Sequence, residues 1–314
     1  MQSFLPRARI YRPLLSFSCA YTPFTSRPSY SHLRTMSSAS TPIGTPRPEQ
    51  QAQKNGAKKE VKILMIHGYT QSGPLFRAKT RALEKLLAKT LSPLSLLPVL
   101  SYPTAPNRLL PSDYPGFTPA APQEGGDSYH SPSNGDAAQE DLPDTWAWFR
   151  KDEAHNTYRL FNEGMATIAR SIREAGGIDG VCGFSQGGAM AAFVAAALEP
   201  ARAVPEGPSG DWARELREAN GGRPVKFAVS WSGFYATGVK ELQWLYEPKI
   251  ATPTLHYIGS LDVVVDESRS RALVERCEEP VVVVHPGGHH VPVSKEWVMP
   301  LAGFIRNHVS ASAN

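Results

Sequence analysis

Cysteine is scarce, with 3 in 314 residues: Cys19, Cys182 and Cys277, an odd number set far apart. That argues against a disulfide framework and against a cysteine metal site, and it fits a reducing compartment. Long apolar runs are missing as well. No window of about 18 unbroken apolar residues exists, so stable membrane insertion is not expected. No basic stripe interleaves with aromatics, and the net charge of +4 is mild, so nucleic acid is not an expected partner. Neither a G-x-G-x-x-G run nor a P-loop occurs, which leaves nucleotide chemistry without an anchor. Acidic residues are absent from one region. Residues 1–48 hold Arg7, Arg9, Arg12, Arg27, Arg34 and Arg47, many serines, and no Asp or Glu. This is the composition of a mitochondrial presequence, although Pro6 and Pro13 interrupt the amphipathic helix that import requires. The alternatives are a disordered tail or translation from Met36. The cytoplasm is the expected location, with the nucleus also open; delivery to mitochondria through this Arg/Ser-rich segment is the alternative.

What is present is a chain with 41 % apolar residues, enough for a substantial core. Residues 1–60 read as a disordered region and linker, and residues 61–309 as one domain. Apolar runs closed by glycine or turn residues predict strands at 61–68, 94–103, 178–184, 225–233, 253–260 and 280–287. Pro98 makes the second of these an edge or bent strand. Helical periodicity predicts helices at 74–90, 157–176, 186–198, about 266–277 and 294–308. Strands alternating with helices imply an α/β fold, a mostly parallel central sheet with helices on both faces. Residues 107–143 and 200–224 are polar and read as insertions. The first follows the second strand and is a candidate lid over the site.

The chemistry centres on Gly183-Phe184-Ser185-Gln186-Gly187, which matches G-x-S-x-G. A serine presented on a tight strand-to-helix turn takes a strained backbone, and side chains two residues either side would collide there. The same letters also fit a plain glycine bend. Here a predicted strand precedes the motif and a predicted helix follows it, which favours a nucleophile. A serine hydroxyl needs a base, and the base needs an orienter, in the chain order Ser…Asp…His. His256 lies inside a strand pattern and reads as packed. His285 ends the last strand. His289 and His290 follow in the loop after it, where open α/β sheets place their sites. Asp266 precedes a helix and reads as its cap, so Asp262 is the better orienter. Backbone N–H groups of Gln186, at a helix start, and of Tyr69, in the loop after the first strand, are the candidate oxyanion donors. His67 reads as a structural residue that holds this loop.

The segments ILMIHGYTQSG, GFSQGGAM, GSLD and HPGGHHVP together resemble the fungal family of serine hydrolases, the FSH group, to which the ovarian-cancer-associated serine hydrolase is related. Acyl-protein thioesterases and carboxylesterases share the HG and GFSQGG elements. The likeness covers about 61–309 and implies an α/β-hydrolase fold. It implies Ser185 as nucleophile, His289 as base and Asp262 as acid, with no metal or organic cofactor. This chain has Val265-Asp266 where the family usually has Val-Pro, and His290 where the family often has another residue. The DTWAWF stretch matches an aromatic segment of the family and makes Trp146, Trp148 and Phe149 candidate pocket residues; ordinary core packing is their alternative. The expected function is hydrolysis of a small-molecule carboxylic ester. Thioester cleavage releasing an acyl product is the nearest alternative, and a catalytically silent binding protein on the same fold is the alternative from another class.

Overall fold

The apolar runs become strands of one parallel sheet. The computed structural model describes residues 9–10, 57–110, 113 and 143–310. In chain order the elements are β1 (Arg9–Ile10), β2 (Lys59–Ile66), α1 (Gly73–Leu91), β3 (Leu96–Ser101), β4 (Asn107–Arg108), β5 (Trp146–Ala147), β6 (Arg150–Asp152) and β7 (Thr157–Arg159). There follow α2 (Phe161–Glu174), β8 (Gly180–Phe184), α3 (Gln186–Ala197), α4 (Pro208–Ala219), β9 (Phe227–Trp231), β10 (Thr254–Gly259), α5 (Glu267–Val274), β11 (Pro280–His285) and α6 (Lys295–Ser310). The sheet order is β1-β11-β10-β9-β8-β2-β3. Every neighbouring pair in it is parallel. β3 with Pro98 lies at one edge, where a residue without an N–H is tolerated.

Parallel strands need crossover helices, and these cover both faces. All residues of β8, β9 and β10 are accordingly buried. Along β2 the side chains alternate. Val61, Ile63 and Met65 join Phe76, Leu83 and Leu87 of α1 and Val298, Leu301 and Ile305 of α6 in one core. Leu64 and Ile66 face the other core, with Met165 and Ile168 of α2, α3, and Leu216 of α4. Helix α3 is buried along its whole length, which its alanines and glycines allow because small side chains let it sit close against β8 and β9.

Two differences from the sequence reading matter. Residues 157–159, read there as the start of a helix, form β7 in a hairpin with β6. The helix begins only after Leu160, whose φ of 61° takes the left-handed turn that separates the two elements. Within 200–224, read as a polar insertion, lies helix α4, which turns Trp212, Ala213 and Leu216 inward. Its Arg217 donates to the carbonyls of Ala197, Glu199 and Arg202, so a cation closes the C-terminal end of α3. Arg202 is itself buried against Glu199 at 2.6 Å. Of the candidate lid at 107–143, residues 111–112 and 114–142 lie outside the described residues, as does the candidate targeting segment save Arg9–Ile10.

Candidate active site

Strand β8 turns into α3 through Ser185, which has φ 54° and ψ −116°. A non-glycine residue reaches such values only when its surroundings hold it there. Its N–H donates to the Trp231 carbonyl at 2.8 Å, and its own carbonyl accepts from Gly188 N at 2.8 Å. The flanking glycines are sterically required. A Cβ on Gly183 would overlap the Gly187 carbonyl, and a Cβ on Gly187 would overlap the Ile66 carbonyl. The turn leaves the Ser185 side chain at the C-terminal end of the sheet.

Two loops from neighbouring strands meet it there. The loop after β11 carries His289, and the loop after β10 carries Asp262. His289 Nε2 lies 2.9 Å from Ser185 Oγ, and its Nδ1 lies 2.8 Å from Asp262 Oδ2. An ionised carboxylate only accepts, so Nδ1 carries the proton and Nε2 is left to accept from the serine hydroxyl. The Phe184 ring stands 4.8 Å from the imidazole and backs it. Asp262 Oδ1 accepts from Val264 N and Val265 N at 3.0 and 2.9 Å. Burial pushes the Asp262 carboxyl up, but the bonds from His289 and Val265 N outweigh that and hold it below the ordinary carboxylate range. The group is therefore charged and fixed at neutral pH.

The remaining candidates separate. His290 turns away from Ser185, with its ring 5.2 Å from that of His285. Asp266 caps α5, accepting from Arg269 N at 3.2 Å. His256 is buried beside Cys277 Sγ at 3.5 Å, and burial brings it down to about 4. His67 Nε2 accepts from Ala105 N at 3.0 Å, which places the proton on Nδ1, 2.7 Å from the Gly68 carbonyl. Burial lowers it to about 4, so it is a neutral brace of the loop that carries Tyr69. Both Cys182 and Cys277 are unpaired and buried, and burial pushes their thiols up, away from reactive thiolate.

Tyr69, Ser185 and Gln186 line one cavity of about 770 Å³. Gln186 begins α3, so its N–H belongs to the first turn and has no intrahelical partner. Its side chain does something the sequence reading did not anticipate. Oε1 accepts from Trp148 N at 2.8 Å and Nε2 donates to the Phe149 carbonyl at 2.9 Å, clamping that segment beside the site. Glutamine alone among the G-x-S-x-G letters offered a signal, since a buried amide must find both a donor and an acceptor. The aromatic trio needs correction. Phe149 lines the cavity, but Trp148 is fully buried, with its ring 5.0 Å from that of His67 and its Nε1 donating to the His67 carbonyl. Trp146 is not among the cavity's described lining residues and lies under the Arg108 guanidinium at 5.6 Å. The core claimed Trp148 because its indole satisfies a carbonyl in the crowded turn after β2. Among the described residues no cluster of His, Cys, Asp or Glu could hold a metal ion, and no helix is long and apolar enough to cross a membrane.

A parallel sheet with helices on both faces, and a strained serine between an interior strand and a buried helix, define an α/β-hydrolase. The family described as Serine hydrolase (FSH1) matches residues 57–301, and the chain belongs to that family. A Schizosaccharomyces pombe protein named Dihydrofolate reductase is 33 % identical over 247 residues, 79 % of this chain and 47 % of its own length. Family of serine hydrolases 3 from Saccharomyces cerevisiae is 32 % identical over 253 residues, 79 % of this chain and 85 % of its own. Esterase OVCA2 from Mus musculus is 31 % identical over 246 residues, 76 % and 92 %. The chain thus spans about half the length of the first relative and most of the other two. The solved structure of SOBER1 from Arabidopsis thaliana aligns with 80 % of this chain and 100 % of its own, at a TM-score of 0.47 and 17 % identity.

Proposed function

We propose that the chain hydrolyses carboxylic esters by a two-step acyl transfer through Ser185, His289 and Asp262. The observation that carries this reading is the imidazole of His289, in hydrogen-bond reach of the serine on one side and the carboxylate on the other. Ser185 Oγ attacks the ester carbonyl carbon while its proton passes to His289 Nε2. The carbonyl oxygen becomes an oxyanion, met by the N–H groups of Gln186 and Tyr69; one such donor is typically worth about 3 kcal/mol. The intermediate collapses, the C–O bond to the alcohol breaks, and the imidazolium returns the proton to the leaving oxygen. Water then attacks the acyl-serine with His289 again as base, releasing the acid and restoring the hydroxyl. Asp262 holds the imidazole tautomer and stabilises the imidazolium. A relative named Esterase OVCA2 supports the ester as substrate, and a thioester offers the same carbon to the same groups.

The test is Ser185→Ala against the parent chain, read by fluorophosphonate labelling and by turnover of p-nitrophenyl esters. Labelling and turnover should vanish while the melting curve stays close to that of the parent. Turnover by the variant beyond trace contamination would defeat the mechanism. For location we propose the cytoplasm, with the six arginines of residues 1–48 supporting mitochondrial import as the alternative. A fluorescent fusion of residues 1–48 decides between them.

A further inference from the structure

The cavity that opens on Ser185 is lined by Arg150, Lys151, Arg159 and Arg269, against only Asp113 and Glu153 among its described residues. Both acids are already engaged. Asp113 pairs with Arg150 at 2.8 Å and Glu153 with Lys151 at 2.7 Å. Arg159 and Arg269 have no carboxylate within 4.0 Å among the described residues. Arg269 donates to the Val264 carbonyl at 3.5 Å and its charge helps hold the nearby Asp266 carboxyl low, but neither it nor Arg159 is closed into an ion pair among the described residues.

The position of Arg159 is costly to the fold. In the β6–β7 hairpin it stands directly opposite Arg150. Residues directly opposite share one face of an antiparallel pair, and like charges there are destabilising. Asp113 relieves Arg150 alone. Arg269 is held from another direction, its guanidinium 4.8 Å from the Phe234 ring, which also lines the cavity. A stacked guanidinium keeps its planar edge for an outside acceptor, and carboxylates and phosphates fit that edge with two parallel hydrogen bonds. A local rule only partly compensated inside the chain, at exposed Arg159, is what a ligand-binding site shows.

We propose that this cavity receives an ester or thioester carrying an anionic group, a carboxylate or a phosphate, bound by Arg159 and Arg269. The inference rests on the ester-hydrolase reading and names its substrate class. The neutral part of such a substrate lies against the apolar wall of Phe149, Tyr158 and Phe234. The stacked pair of Phe149 and Tyr158, with centroids 4.0 Å apart, makes that wall rigid.

Two matched substrate pairs test it on the full chain. One pair sets p-nitrophenyl hemiglutarate, with a carboxylate on the acyl side, against p-nitrophenyl hexanoate. The other sets acetyl-coenzyme A, with phosphates on the leaving side, against S-acetyl-N-acetylcysteamine. The anionic member of one pair should be preferred in kcat/KM by about tenfold at low salt, as charge-assisted hydrogen bonds allow. Added sodium chloride should shrink that preference. The favoured pair tells carboxylate from phosphate. Arg159→Gln and Arg269→Gln should each lower the anionic-to-neutral ratio several-fold, and either variant carries the test if the other folds poorly. Equal or better use of the neutral member in both pairs, with normal fluorophosphonate labelling, overturns the proposal and leaves the hydrolase reading standing. A preference that survives both substitutions overturns the assignment to these arginines. No labelling and no turnover on any of the four overturns both readings.

Discussion

His289 and His290 are neighbours in one loop and face opposite ways, one to Ser185 and the other to His285. Side chains of adjacent residues in a loop point apart, so only one can place a ring nitrogen within about 3 Å of the hydroxyl and the two roles can be separated by substitution. His289→Ala should lower kcat by roughly 10⁴-fold or more, the scale on which losing one member of such a constellation acts. His290→Ala should stay within a few-fold of the parent. Steady-state kinetics on one p-nitrophenyl ester checks both, and the reverse order would shift the base by one residue. The flanking glycines are equally exposed to test. Gly183→Ala forces a methyl onto the Gly187 carbonyl, so it should yield insoluble or inactive protein, read by expression and fluorophosphonate labelling.

Helix α4 shows how much an element can hide in polar sequence. Its buried face is narrow, with Gly210, Trp212, Ala213 and Leu216 turned inward among polar neighbours. Trp212 meets the Phe161 ring edge-on at 5.3 Å and lies 5.7 Å from Trp244, so it pins α4 to α2 and to the short helical segment Lys240–Leu245. Trp212→Ala should cost roughly 3–5 kcal/mol of stability, as large-to-small core changes do. Urea denaturation measures it. A loss below about 1 kcal/mol would mean that α4 is a replaceable cover rather than part of the core. The β6–β7 hairpin is harder to read still. Its strands have three residues each, too few for any alternation, and its turn uses Asn156 at φ 50° instead of glycine.

Buried histidines tie the stability of the whole molecule to pH. His67 and His256 sit near 4 when folded against 6.5 when exposed, because burial disfavours the charged ring. Above pH 6.5 both states are neutral and these residues add no pH dependence. Between 6.5 and 4 the unfolded chain takes up protons that the folded chain refuses, so folding weakens as pH falls. The loss saturates below about 4, at up to about 3 kcal/mol for each histidine. His285 and His308 are lowered by burial too and act in the same direction. Asp262, held low when folded, adds its own loss only at more acidic pH. Urea midpoints measured from pH 7.5 to 4.5 should fall steadily. A midpoint that is flat or rises on acidification would show that His67 and His256 are not held neutral by burial in the folded protein.

By itself the sequence determined the parallel α/β order and put Ser185, Asp262 and His289 forward as candidates, with His289 within hydrogen-bond distance of the other two. Buried strands announce themselves as β-branched runs, and a G-x-S-x-G turn tolerates so few side chains that its glycines are readable letter by letter. Asp262 was separable from Asp266, and His289 from the strand histidines, because loops after strands and helix starts carry different residue signals. Only the tertiary structure decided which nearby groups serve the cavity. Trp148 and Phe149 are adjacent and both aromatic, yet one fills the space beside His67 and the other lines the cavity. Arg150 and Arg159 lie on different strands and become neighbours only through hairpin register. Neither outcome is a property of a residue and its sequence neighbours. Each depends on which distant backbone comes close enough to compete for the same side chain, and that competition exists only once the chain has folded.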